Sequence, residues 1–292
     1  MVPLPENRVS VILPNKGRYQ VLERAVASIL AQKHENVEII IVDDSNDELF
    51  QQIAEAYGNH HNVKVIRGNK SGDMLARVQG LKAATGEYVS FLDSDDIWAP
   101  EKLREHLHIW GENPDITMSF DKWHKEAYSN VYGNLVIATE KYGIIQGNTL
   151  RNMLLIHGNF IHMSSIFTKR IYLRSLIQGS ATPMPPFDLF LSLHLSKNSK
   201  VGYINQLLTE KSDSEDALGK NWNILKKERH SILNMSVSNL LRFRRPPDVS
   251  LKFFIWKFLT ILAGIPVQPF LGRYTIFITK IERKLIKNGV AH

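Results

Sequence analysis

The first 120 residues alternate short β-branched apolar runs with segments of helical period, and few folds accept that pattern. Residues 9–13 and 37–42 (VEIIIV) read as buried strands, followed by a short one at 63–66 and two more at 88–92 and 116–120. Between them, Val21, Leu22, Ala25, Val26, Ile29 and Leu30 recur at helical spacing. Further helices are expected over 48–57, over 74–84 with a stop at Gly86, and over 100–110 with Pro100 in the first turn. Such alternation predicts a mostly parallel, Rossmann-like sheet flanked by helices. A sheet of this kind collects the C-terminal ends of its strands on one edge, where ligands bind.

Residues 121–224 are less periodic and contain loop-like stretches at 143–147, 179–186 and 211–220. They are expected to continue the first domain and to carry its second substrate. Pro246 and Pro247 mark a boundary, and residues 225–292 are expected to form a basic, apolar helical extension. Thirteen of the 36 Lys and Arg fall in that extension, against three of the 29 Asp and Glu, so the net charge of +7 belongs to the tail. A basic tail away from the strand tips argues against a nucleic-acid partner. The apolar run 253–271 is interrupted by Lys257, Pro266 and Pro269. It falls short of the roughly 20 apolar residues that span a bilayer. Peripheral contact with an anionic membrane through residues 250–290 is expected, with a helical pair packed on the main domain as the alternative. The N-terminus lacks the pattern of a secretory signal and the chain has no cysteine. Both fit a cytoplasmic protein at the inner face of a membrane.

Two groups of acids end strands. In FLDSDDIWAP, residues 91–100, Asp93, Ser94, Asp95 and Asp96 follow a buried strand. Three carboxylates in four positions repel one another unless a counter-charge is present. A divalent cation supplies one, and hard oxygen ligands suit Mg2+ or Mn2+. For Asp96 an N-cap of the following helix is the alternative. Asp43 and Asp44 follow VEIIIV and suit a base or ribose, or one of them caps the next helix.

With these residues in place, 8–120 resembles the family 2 glycosyltransferases, inverting enzymes of GT-A-type fold. VSVILPNKGRYQVLERAVASILAQ is similar to their opening strand and helix, VEIIIVDDS to their second strand, and GDMLARVQGLKAATGEYVSFLDSDDIW to the run into their Asp-x-Asp motif. The resemblance implies a nucleotide-sugar-binding half at 1–120 and an acceptor-binding half at 121–224. It implies that Pro14 and Asn15 lie in the first nucleotide loop and that Asp44 contacts the base. Asp93 and Ser94 would lie by the ribose and diphosphate, Arg77 near the nucleotide, and Asp95 on the metal. The family's Thr-Tyr-Asn is replaced here by Asn15, Lys16 and Gly17, which leaves the base open between uracil and others. Asp188, in PPFDLFLSLHL, stands where the family has its catalytic base, with Phe187 in place of the usual Glu. Asp188 is also a candidate helix cap. His162 is either structural or within reach of acceptor or phosphate, and Lys211 is a candidate for the diphosphate.

The activity implied is metal-dependent, inverting transfer of a hexosyl or N-acetylhexosaminyl group. The donor would be a nucleotide diphosphate sugar, UDP-linked by preference, and the acceptor a glycan or lipid-linked glycan of a surface polysaccharide. A sugar nucleotidyltransferase would need a Gly-rich loop after the first strand, and PNKGRY has one Gly. A receiver-type module would end near residue 120 and would not need a second acidic strand tip.

Overall fold

A computed structural model describes residues 7–17, 19–70, 72–123, 141–157, 159–180 and 187–211. The expected tail and its membrane-facing stretch lie outside these residues. Among the described residues, no helix is long and apolar enough to cross a membrane.

The strand–helix alternation forms as read. β1 (Val9–Asn15), α1 (Tyr19–Leu30), β2 (Val37–Asp43), α2 (Asp47–Tyr57), β3 (Val63–Arg67), α3 (Asp73–Ala83) and β4 (Tyr88–Phe91) follow in order. β1 pairs in parallel with both β2 and β4, and β2 with β3. Successive residues of β1 and β2 serve opposite faces, as the period of a strand requires. Val9, Val11, Leu13, Ile39 and Ile41 pack with Leu22, Ala25, Val26 and Ile29 of α1, whereas Ile40 and Val42 pack with Ala76 of α3. The sheet is therefore covered on both sides, which explains why its strands are apolar runs rather than alternating ones.

Gly80 lets α3 lie close on the strands, since a Cβ there would stand 2.5 Å from Ile12 Cγ2. That contact fixes the first turns of α3, and with them Arg77, over the strand tips.

The second half continues the same sheet. β5 (Ile97–Trp98), α4 (Lys102–Glu112), β6 (Ile116–Trp123), β7 (Tyr142–Gln146), α5 (Gly147–His157), β8 (Ile166–Lys169), α6 (Arg174–Ile177), α7 (Phe187–Leu195) and β9 (Lys200–Glu210) follow. The strand order is β3-β2-β1-β4-β8-β6-β9-β5, with β7 on β9. β8 runs antiparallel between β4 and β6, so the parallel half ends there. Residues 143–147, read as loop because of their glycines, are instead strand β7 and the first residue of α5. β7 pairs antiparallel with β9, which satisfies one edge of its backbone while leaving Ile144 exposed.

Glu38, in β2, closes the edge of the sheet opposite the strand tips. Its carboxylate accepts from Ser10 Oγ, from Thr85 N at 2.6 Å and Oγ1 at 2.9 Å, and from Gly86 N at 2.9 Å. Burial pushes this carboxyl up, but Ser10, Thr85 and Arg8 outweigh burial and hold it below its ordinary value. Its contribution is thus present above the ordinary carboxylate range and is lost as pH falls through the depressed value. Glu38→Ala is expected to lower unfolding free energy by about 2–3 kcal/mol, because buried donors lose their acceptor. A denaturant melt checks this. A midpoint equal to wild type would remove Glu38 from its structural role.

Candidate active site

The tips of β1 and β2 meet in register, Asn15 beside Asp43. Asp43 is fully buried and accepts from Asn15 Nδ2 at 2.7 Å and Ser45 Oγ at 2.6 Å; Ser45 Oγ in turn accepts the Gly17 amide at 2.7 Å. Asp43 therefore ties down the loop after β1. Asp44 is 6% exposed, and its Oδ1 accepts the Lys70 amide at 2.7 Å. A Cβ on Gly68 would overlap that oxygen, so only glycine leaves the carboxylate where it is. Neither acid caps α2: Asn46 does, accepting from Leu49 N. Asn15 Oδ1 and Asp43 Oδ2 are buried without a hydrogen-bond partner among the described residues. Pro14 lies one residue earlier in β1, opposite Val42.

The tip of β4 carries the second group. Arg77, 5% exposed, donates from Nη1 to Asp73 Oδ2 at 2.6 Å and from Nη2 to Asp93 Oδ1. Burial works against its charge, but Asp93 and Asp73 more than compensate and hold its pKa above the ordinary value. For Asp93, burial raises the carboxyl and Arg77 above all lowers it, leaving it below the usual range. Arg77 is thus an internal counter-ion rather than a solvated surface residue.

Asp96 does not cap a helix. After it the chain forms β5, paired antiparallel with the end of β9, and α4 begins only at Lys102 with Glu101 as N-cap. Asp96 is 1% exposed; Oδ2 accepts from Ser164 Oγ at 2.5 Å, and Oδ1 is buried without a hydrogen-bond partner among the described residues. Burial, with Asp93 and Asp95 nearby, pushes its carboxyl up to about 8. His162 stands 3.4 Å from Asp96, and burial pushes its pKa down to about 4, so its ring is neutral at pH 7. A neutral imidazole is the state in which histidine binds metals.

Asp93, Asp96 and His162 each offer one ligand atom, and these atoms lie within 4.8 Å of one another. Two carboxylates, one of them carrying the unpartnered buried oxygen of Asp96, and one imidazole fit a divalent cation. Asp95, the ligand expected from sequence, is not in this trio but adds its charge to Asp96 and His162. Ser94 is buried beside it. Lys211, just beyond β9, acts electrostatically on Asp93, Asp96 and His162 and lies 5.8 Å from the Trp123 ring.

Asp188 sits in the first turn of α7, one residue inside the helix, and its Oδ1 accepts the Leu189 amide at 2.8 Å. Phe187, where a Glu was expected, packs edge-on against Phe91 of β4 with ring centroids 6.2 Å apart. That contact places Asp188 in the field of Asp93 and Arg77. Burial pushes its carboxyl up to about 6, with Asp93 adding to the rise and Arg77 opposing it. The structure brings Arg77, Asp93, Asp95, Asp96, His162 and Asp188 together, with the Asn15, Asp43 and Asp44 group at the tips of neighbouring β1 and β2.

The profile of the family described as Glycosyl transferase family 2 matches residues 10–175. The chain is 38% identical over 107 residues to TuaG of Bacillus subtilis, a glycosyltransferase provisionally assigned to teichuronic acid biosynthesis, covering 36% of this chain and 42% of TuaG. It spans between 16% and 61% of the length of curated relatives of this kind. Residues 1–349 of Staphylococcus aureus TarS, solved with UDP-GlcNAc, share the fold at a TM-score of 0.64 and 18% identity, over 89% of this chain and 74% of that one. The Pyrobaculum calidifontis mannosyltransferase PcManGT, solved with GDP-Man and Mn2+, does so at 0.62 and 15%, over 98% and 76%.

Proposed function

Since the chain belongs to Glycosyl transferase family 2, we propose that it transfers a sugar from a nucleotide diphosphate to an acceptor hydroxyl, with inversion at the anomeric carbon. The observation that carries this reading is the junction at one sheet edge. There the orphaned carboxylate oxygen of Asp96 lies in a group with Asp93 and His162, and Asp188 stands in the field of Asp93 and Arg77.

In this reading Pro14, Asn15 and Asp44 line the base and ribose pocket, with Asp43 holding its walls. Asp93 and Ser94 face the ribose and diphosphate, and Arg77 keeps Asp93 ionised. Asp93, Asp96 and His162, whose ligand atoms lie within 4.8 Å of one another, would hold Mn2+ or Mg2+ together with Asp95, the ligand expected from sequence; the ion when bound neutralises charge on the leaving diphosphate. Lys211 adds positive charge on the same side. Asp188 takes the proton from the acceptor hydroxyl as that oxygen bonds to the anomeric carbon and the bond to the diphosphate breaks. A carboxyl pushed up to about 6 is a stronger base than an ordinary one and is still mostly ionised at pH 7.

TarS with UDP-GlcNAc supports a UDP-sugar, while PcManGT with GDP-Man supports a GDP-sugar as the second candidate. TuaG supports a polysaccharide or lipid-linked glycan acceptor. Cytoplasmic residence with peripheral membrane contact through residues 250–290 belongs to the same proposal, as does the division into halves at 1–120 and 121–224.

Nucleotide titration tests the base pocket. Wild-type protein is expected to bind UDP or GDP in calorimetry, and Asp44→Ala to bind it at least tenfold more weakly, about 1.4 kcal/mol or more. The metal response of the bound fraction should survive. An unchanged affinity would return Asp44 to a purely structural part, holding the Lys70 amide.

A further inference from the structure

Ser164 lies in the short 3-10 turn Met163–Ser165, which follows His162, and it is fully buried. Its hydroxyl makes two contacts. It accepts the Asp93 backbone amide at 3.0 Å and donates to Asp96 Oδ2 at 2.5 Å. The Ser164 amide also lies 3.3 Å from His162 Nδ1. One uncharged residue thus touches all three members of the Asp93, Asp96 and His162 cluster. Its own carbonyl is fixed from behind by Trp98, whose Nε1 donates at 2.9 Å.

Behind that carbonyl lies a buried polar group. Thr209 Oγ1, 3.3 Å from Ser164 O, donates to Asp121 Oδ2 at 2.8 Å and stands 3.2 Å from Lys102 Nζ. Lys102 and Asp121 are ion-paired with both side chains at 0% exposure. A charge pair this deep resists displacement, because moving either partner would leave the other unpaired in a low-dielectric interior.

We propose that Ser164 is a positioning residue for the cation site. Its hydroxyl occupies Asp96 Oδ2, which leaves Oδ1 as the oxygen open to an ion. By holding the Asp93 backbone as well, it locks the tip of β4 to the turn that carries His162. Trp98 and the Thr209–Asp121–Lys102 group brace Ser164 in turn. A hydroxyl suits this task because it accepts and donates at once and adds no charge to a site already rich in carboxylates. The inference rests on the reading of this cluster as a metal site.

The test is Mn2+ binding to the full chain without nucleotide or turnover, read by the loss of the free-ion electron paramagnetic resonance signal. Ser164→Ala is expected to weaken Mn2+ affinity about 10–100-fold, the usual effect of removing a residue that orients a metal ligand. UDP or GDP affinity measured without metal should change by less than about twofold, a factor worth under about 0.5 kcal/mol. Should the alanine variant fail to fold, Ser164→Cys keeps the side-chain shape with a larger atom that donates weakly, and it should show the same selective loss. If wild type binds Mn2+ and both folded variants match it, the positioning role is overturned while the metal reading stands. If wild type binds no Mn2+, the metal reading falls and this inference with it. A parallel fall in Mn2+ affinity, nucleotide affinity and melting temperature would mark Ser164 as structural and also overturn the proposal.

Discussion

Asp188→Asn is expected to lower turnover by about 10²–10⁴-fold, the range for losing a general base. Asparagine keeps the side-chain oxygen that accepts the Leu189 amide at 2.8 Å, so helix α7 should start as before. It cannot take a proton at neutral pH. Donor binding and melting temperature should therefore stay near wild type while the rate collapses. The pH profile gives a second handle on the same residue. The base must be ionised to act, so kcat/KM for wild type should fall as pH drops through about 6, the value to which burial pushes this carboxyl, and level off above it. Full activity in Asp188→Asn would move the base elsewhere, first to Asp213, Glu215 or Asp216, the acids of the stretch 211–220, which lie outside the described residues. A large loss of stability with activity following the folded fraction would make Asp188 structural.

Removal of the metal should be as severe. EDTA is expected to abolish turnover, and Mn2+ or Mg2+ to restore it. Asp95→Ala should cost about 10²–10³-fold or more in rate, comparable to deleting a principal stabiliser of transition-state charge. Asp96→Asn should lose activity alongside it, yet without metal it should be no less stable than wild type. The reason is that burial, Asp93 and Asp95 all disfavour an ionised carboxyl at that position. Near-wild-type rates in both variants, or indifference to EDTA, would remove the cation from the reaction.

The parallel half of the fold was legible because its information is local. β-branched runs such as VEIIIV form central strands. The helical spacing of residues 21–30 is met by buried Leu22, Ala25, Val26 and Ile29, and acids at the ends of β2 and β4 arrive at the ligand edge by topology alone. The apolar helix that begins beside Asp188 was legible too, although Asp188 lies in its first turn rather than ahead of it. Arg77 was legible only in part, since its burial between Asp73 and Asp93 depends on how closely α3 approaches the strands at Gly80.

Asp96 and Ser164 were not legible as a pair, because 68 residues separate them and the antiparallel insertion of β8 beside β4 brings them together. The same insertion delivers His162, whose isolation in sequence left both a structural part and a ligand open. β7 was missed because Gly143 and Gly147 mimic a loop, while its pairing with β9 is a non-local gain. Local pattern thus reported the strand tips, and long-range pairing decided which side chains meet there.

The most direct test is incubation of the full chain with a panel of UDP- and GDP-sugars and glycan acceptors, with Mn2+ or with EDTA, following nucleoside diphosphate release and the anomeric configuration of the product by NMR. The expected result is release and transfer from at least one donor only when metal is present, with the anomeric centre inverted and the signal lost in Asp188→Asn. A product of retained configuration, or transfer unaffected by both EDTA and Asp188→Asn, would contradict the proposed chemistry.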